Sequence, residues 1–177
     1  MTSASKTSPA APGSHLSPKA PRESWVEMTE IVLPQHTNAL GTVFGGVVMS
    51  WVDIAAATCA LRHTNRSVVT ASMDAMHFLA PIKLGWIVTL KAAVNYTHKT
   101  SCEVGVRVTA ENPLTGERNH TASAYLTFVA LDSNGRPTPF RPIECESVEE
   151  RQREERARVR RAARLQLKEA LLKRPVS

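Results

Sequence analysis

From Val47 to Leu61 the chain is almost continuously apolar and free of proline, with Ser50, Asp53 and Thr58 as its polar residues. A run of that length predicts a helix, and the Gly45-Gly46 pair that closes the preceding polar stretch marks its start, giving a helix over 45–62. Downstream the pattern changes to four runs rich in β-branched and aromatic residues, which predict strands over 68–78, 87–97, 101–110 and 121–131. Their connectors are short: one carries Pro81 and Gly85, one is His98 to Thr100, and one runs from Asn112 to Gly116. A parallel return needs a dozen or more residues, so antiparallel hairpins are expected. Upstream, 25–33 predicts a short extended segment ended by Pro34. One helix with an antiparallel meander is an α+β layout in which a single sheet must curl round the helix.

A helix that is apolar nearly all round is expected to be wrapped by protein, as the core of the domain. Residues 43–61 are also long enough to cross a bilayer, for which about 20 apolar residues suffice. Asp53 in the middle argues against a span, at about 2.5 to 3.5 kcal/mol on insertion scales, and so does the soluble-sheet alternation that follows.

The chain has 177 residues, which suits one domain with tails, and a formal net charge of +6. That charge suggests nucleic acid until it is located. Residues 1–24 carry three basic residues against one acid, and 147–174 carry ten against five, while 25–146 hold nine against ten. The domain is close to neutral and the basicity lies in its appendages, so a nucleic-acid function is not expected. Residues 1–24, rich in Ser, Thr, Ala and Pro without apolar periodicity, read as a disordered tail. Pro9, Pro12, Pro18 and Pro21 would break the amphipathic helix of a transit peptide. Ser147-Val-Glu-Glu150 has the form of a capping box that opens an Arg/Glu-rich helical extension over 147–177. Its charges suit either a solvated helix with pairs three and four residues apart or a contact with acidic polymers or a partner subunit. Cys59, Cys102 and Cys145 lack metal spacing and read as free thiols in a reducing compartment. The six histidines also show no ligand spacing, so no metal is expected.

The chemistry gathers at the helix start. Helix N-termini present unsatisfied N–H groups and a partial positive charge. Glycine there lets a carbonyl approach, so Gly45 and Gly46 can hold a developing oxyanion, or can simply allow close packing. Asp53 lies seven residues beyond Gly46 on nearly the same face, among apolar neighbours. A carboxylate is seldom buried in such surroundings without a partner or a chemical role, so Asp53 is either a catalytic group or an anchor for a neighbouring strand. Seven residues at ~1.5 Å each separate Gly46 from Asp53 by about 10 Å. One carbonyl cannot touch both within one copy, so joint action implies a site built across a dimer. Asn38, in the loop before the glycines, could orient a water or the acyl carbonyl, although loop asparagines commonly serve turns. His36 offers a base, but no Ser or Cys beside it is placed as a nucleophile and no acid is placed to orient it.

Five blocks then occur in order: Asn38-Ala-Leu-Gly-Thr-Val-Phe-Gly-Gly46, Met49-Ser-Trp-Val-Asp53, Asp74-Ala-Met-His-Phe-Leu-Ala-Pro-Ile82, His98-Lys-Thr-Ser101 and Tyr125-Leu-Thr-Phe-Val-Ala130. Over about 25–144 this succession resembles the hotdog-fold acyl-CoA thioesterases of the acyl-CoA hydrolase (ACOT) type. The resemblance implies an antiparallel sheet wrapped round one long central helix, with a thioesterase domain over 25–146. It further implies a dimer as minimal active unit, often assembled into a hexameric trimer of dimers, and hydrolysis of acyl-CoA. Asp53 matches the family's catalytic aspartate, as general base or nucleophile. Asn38 matches the catalytic asparagine from the partner subunit, and Gly46 the oxyanion-binding helix start. The Lys99-Thr100-Ser101 turn resembles the segment that meets the CoA phosphates, with Phe78 and Pro81 near the pantetheine path; Gly45 and His36 are expected with them as substrate-binding residues. Both tails lie outside the common pattern.

The expected function is therefore a cytoplasmic hydrolase that converts fatty acyl-CoA to free fatty acid and CoA. It needs no cofactor beyond the CoA of its substrate and product. The alternative is a non-catalytic acyl-CoA-binding or sensing module, which the joint presence of Asp53 and Asn38 disfavours. A hotdog hydratase lacks its usual Asp/His pair in the 35–46 loop.

Overall fold

The apolar run folds as helix α1, Gly45–Thr64, two residues longer than expected. It ends where Asn65 adopts a left-handed conformation (φ 55°) that breaks the hydrogen-bond ladder. In this computed structural model, which describes residues 16–74 and 76–173, six strands follow or precede it: β1 Val26–Ile31, β2 Ser67–Met73, β3 His77–Phe78, β4 Ile87–His98, β5 Ser101–Glu111 and β6 Arg118–Leu131. They form one antiparallel sheet in the order β1-β4-β5-β6-β2, with β3 also on β6. This is the hotdog arrangement that the resemblance implies.

The alternation of the strands decides which side meets the helix. On β6, Ala122, Ala124, Leu126, Phe128 and Ala130 are fully buried and face α1, as do Val104, Val106 and Val108 on β5. On the helix, Val52, Ala55, Ala56, Cys59 and Ala60 are fully buried, and their small size lets the helix lie close to the sheet. Residues such as Leu90, Leu126 and Phe128 contribute roughly 1.5 to 3 kcal/mol each by leaving water.

The helix is not wrapped on all sides. Met49, Ile54 and Leu61 are 43%, 51% and 44% exposed along one face, because one curled sheet covers only the other. A second difference concerns 68–78, expected as a single strand. Thr70 pairs with Phe128 and Ser72 with Thr127, so Ala71 is an extra residue. The ladder resumes at Ser72 and Met73 after that bulge, and the next pair among the described residues is His77 with Ser123.

Residues 16–24 correct the expectation of a disordered tail over 1–24, of which 1–15 lie outside the described residues. Lys19 N–H donates to the Pro142 carbonyl, and the Lys19 carbonyl accepts from Glu144 N–H, both at 3.0 Å. Pro21–Ser24 form a 3-10 turn whose Ser24 hydroxyl lies 3.0 Å from His63 Nδ1 in the core. Prolines that forbid a long helix suit a short docked turn. Burial pushes the His63 pKa down to about 4, and its ring stacks on Phe140.

The carboxyl-terminal run is helix α2, Val148–Leu172, with Ser147 as its cap: Glu150 N–H donates to Ser147 Oγ and Ser147 N–H to Glu150 Oε2, both at 3.1 Å. Some charges pair along the helix, as Glu154 and Arg158 do. Others do not fit the solvated-helix reading, since α2 lies on the outer face of the sheet. Arg160 makes a two-pronged pair with Glu103 of β5 (2.6 and 3.1 Å) and sits 3.6 Å over the Tyr125 ring. Glu103 is only 2% exposed, and it also accepts from Asn95 Nδ2. Asn95 is itself the extra residue of a bulge in β4. Residues 174–177 lie outside the described residues.

Candidate active site

The helix start forms one cluster. Phe44 is the cap residue, and neither Gly45 N–H nor Gly46 N–H meets an acceptor among the described residues. A methyl on Gly45 would touch the Phe78 ring at 3.4 Å, and one on Gly46 would come within 2.6 Å of Phe44 Cε1. Phe78 and Pro81 border the same cavity as Gly45, about 340 Å³ in volume and closed on one side by Val43, Val48 and Ile82. His36 lies just outside: its carbonyl accepts from Phe44 N–H at 2.9 Å and its ring meets Trp51 edge-on at 5.1 Å. The His36 Nδ1 accepts from Leu33 N–H at 3.2 Å, so the ring closes a turn and faces no nucleophile.

Asn38 is exposed and organises its own loop. Its Oδ1 accepts from Leu40 N–H at 2.9 Å and from Thr42 N–H at 3.3 Å, which fixes the 38–42 turn. The amide nitrogen donates to Thr42 Oγ1 at 3.1 Å. The side chain is thus held rigidly at the surface of the loop that leads into α1.

Two helical turns on, Asp53 is half-buried, and its Oδ1 accepts a 2.8 Å hydrogen bond from Thr70 Oγ1. Thr70 is absent from the residues that the sequence pattern singles out. Its sequence signal is faint, since threonine is an ordinary strand residue, and only the pairing with Phe128 puts Thr70 on the side of β2 that faces α1. The Ala71 bulge follows immediately, and bulges next to a site commonly re-aim a side chain.

The structure therefore brings the expected residues into two groups and not one. Gly45, Gly46, Phe78, Pro81 and His36 gather at the helix start, whereas Asp53 joins Thr70. Phe78 lies opposite Ala122 and Thr70 opposite Phe128, six residues apart on β6, or roughly 20 Å at about 3.4 Å per residue. The Lys99–Ser101 turn lies nearer the second group. Ser101 and Val69 both pair with Val129, so that turn is two strand spacings from β2, about 10 Å. Neither group holds three metal-ligating side chains together among the described residues. No described helix is long and apolar enough to cross a membrane.

A larger cavity, about 710 Å³, is elsewhere. It lies on the outer face of the sheet under α2, over Ala93, Gly105 and Ser123 and beside Arg153, Arg156 and Arg160. The sheet separates it from Asp53, which lies on the inner side with α1.

Residues 40–117 match the family model of the thioesterase superfamily. The chain is 46% identical over 129 residues to YkhA of Bacillus subtilis, described as an uncharacterized acyl-CoA thioester hydrolase, with 73% of this chain and 75% of that one covered. Its structure is similar to an apo hexameric acyl-CoA thioesterase (TM-score 0.83, 39% identity, 90% of this chain and 100% of that one). It is likewise similar to the acyl-CoA hydrolase of Staphylococcus aureus in complex with butyryl-CoA and CoA (TM-score 0.73, 37% identity, 88% and 99%). That hydrolase has also been solved with an aspartate, a threonine or an asparagine replaced by alanine. A match over 90% of the chain reaches into α2, which the sequence reading left outside the common pattern. On its fold, and on a 46% identity that covers three-quarters of a relative, this chain belongs to the thioesterase superfamily.

Proposed function

We infer that this protein hydrolyses acyl-CoA thioesters, and that each site is assembled from two copies of the chain. The observation that carries the reading is the Thr70–Asp53 hydrogen bond, two helical turns from a pair of glycine N–H groups without acceptors among the described residues. The first element can activate water and the second can hold an oxyanion. About 10 Å of helix keeps them from one carbonyl in one copy, and the open apolar face of α1 supplies a surface on which a second copy would complete both.

In this mechanism the thioester carbonyl oxygen accepts from the Gly46 N–H at the positive end of α1, with the Asn38 amide beside it. Asp53 of the other copy, oriented by Thr70, takes a proton from water as the oxygen adds to the carbonyl carbon. The tetrahedral intermediate collapses with cleavage of the C–S bond. The thiolate takes up the proton from Asp53, so that one thioester and one water give one carboxylic acid and one CoA thiol. Direct attack by the Asp53 carboxylate, followed by hydrolysis of the anhydride, is the alternative route.

The cavity beside Phe78 and Pro81 suits the pantetheine arm, and Lys99, Thr100 and Ser101 suit the CoA phosphates. Fatty acyl chains are the substrate class that apolar walls at Val43, Phe44 and Trp51 favour. No resident cofactor is needed, and free thiols at Cys59, Cys102 and Cys145 accord with a cytoplasmic location. Relatives solved as hexamers support further assembly, which in this reading is a trimer of dimers.

Thiol release from a panel of acyl-CoAs tests the reading. Turnover in the wild type, lost in Asp53→Ala and strongly reduced in Asn38→Ala, is the expected result. Tight acyl-CoA binding without turnover would replace the enzyme with a sensing module.

A further inference from the structure

Helix α2 grips the outer face of the sheet through two arginines about one turn apart. Arg160 holds Glu103, and Arg164 Nη1 donates to both carboxylate oxygens of Asp74 at 3.0 Å each. The Arg164 and Asp74 side chains are 24% and 22% exposed, so the pair is largely screened from water.

The two arginines hold different things. Glu103 lies within β5, where ladders to β4 and β6 already fix the backbone. Asp74 lies just past the last β2 pair, Met73 with Leu126: its own N–H still bonds the Tyr125 carbonyl at 2.9 Å, and the next strand pair among the described residues is at His77. Four residues before Asp74 is Thr70, which orients Asp53. Four residues after it is Phe78, which packs against Gly45 at the oxyanion end. The guanidinium of Arg164 therefore holds the chain midway between Thr70 and Phe78, from a helix 90 residues away in sequence.

We propose that Arg164 is a positioning residue for thioester hydrolysis, acting through Asp74 on the placement of Thr70 and Phe78. This rests on the reading of Asp53 as the group that activates water. Catalytic geometry is unforgiving, since a displacement of about 1 Å can cost on the order of 10²-fold in rate. An unpinned Asp74 would loosen the chain at the point where β2 ends.

Steady-state kinetics on Arg164→Gln, Arg164→Lys, Asp74→Asn and Arg160→Gln, with melting curves for each, test it. Arg164→Gln and Asp74→Asn are expected to lower kcat by about 10-fold with KM within about twofold, the pattern of lost transition-state placement. The double variant should be no worse than either single one, because both remove the same contact. Arg164→Lys, and the exchange of Arg164→Asp with Asp74→Arg, should recover part of kcat. Arg160→Gln should show the opposite balance: the larger fall in Tm, because buried Glu103 loses its partner, and the smaller fall in kcat. A wild-type kcat in Arg164→Gln would overturn the proposal, as would kcat losses that simply follow Tm across the two arginine variants. A wild type that hydrolyses no acyl-CoA would remove the underlying reading and this one with it.

Discussion

Thr70 and Asp53 meet across the gap between an edge strand and the central helix, with the threonine hydroxyl donating to Asp53 Oδ1 at 2.8 Å. The bond leaves the other carboxylate oxygen open to a water, and it fixes the rotamer from which that water would be addressed. Asp53→Asn is expected to lower kcat by about 10²- to 10⁴-fold, the usual worth of a positioned general base. Thr70→Ala should cost less, about 10-fold, because the base remains but its orientation is lost. Thr70→Ser, which keeps the hydroxyl, should recover most of that loss. Initial rates of thiol release check all three.

Asn38→Ala and Asp53→Ala are each expected to be nearly inactive alone. If the two residues serve one site from different copies, coexpression gives mixed dimers that hold one intact site and one doubly damaged site. Activity should return to about a quarter of the wild-type level in a randomly mixed population. No recovery in a mixture shown by mass spectrometry to be mixed would place both residues in one copy.

Gly46→Ala separates the two meanings of the glycine pair. The new methyl would displace the Phe44 ring, which is 60% exposed and free to turn away. Helix propensity favours alanine by roughly 0.5 to 1 kcal/mol, so Tm should hold or rise. The rate should fall by about 10-fold or more, because the methyl crowds the approach of the carbonyl. Loss of stability with unchanged rate would make the glycines a packing device.

The buried His63 gives the fold a pH dependence apart from catalysis. Its pKa is pushed from 6.5 down to about 4, so between those values the unfolded chain binds a proton that the folded chain refuses. The contribution is complete above pH 6.5, declines as pH falls from 6.5 to about 4, and is level below that. Its full size is about 3 kcal/mol. Denaturant melts across this window should show the decline in the wild type and a flatter profile in His63→Gln.

Arg160→Ala leaves the Glu103 carboxyl buried without its main partner, and should destabilise the fold by on the order of 3 kcal/mol. Replacing Arg160 and Glu103 together by Met and Leu should cost less than the single change, because no stranded charge remains. Thermal unfolding followed by circular dichroism checks the order.

Much of this architecture could be read from periodicity. The long apolar run without proline could be little else than the central helix, and connectors as short as His98 to Thr100 forced antiparallel neighbours. Helix arithmetic alone also separated Gly46 from Asp53, and the fold keeps them apart. What eluded the pattern depends on pairs distant in sequence. Thr70 looks like an ordinary strand residue until the Phe128 register and the Ala71 bulge turn it toward Asp53. The arginines of α2 read as a solvated charge run because nothing local reveals Glu103 and Asp74 waiting on the outer face. Residues 16–24 lacked any periodicity, yet they are held by backbone bonds to Pro142 and Glu144, which no side-chain pattern records.

The uncovered face of α1 has a consequence for how the protein must be handled. Met49, Ile54 and Leu61 lie on the element that carries Asp53, so water reaches the central helix whenever that face has no partner. Stability and turnover are then both tied to subunit concentration through mass action. Specific activity should decline on dilution and Tm should climb with concentration, so an assay run at nanomolar enzyme and a melting curve run at micromolar protein describe different populations of the same chain.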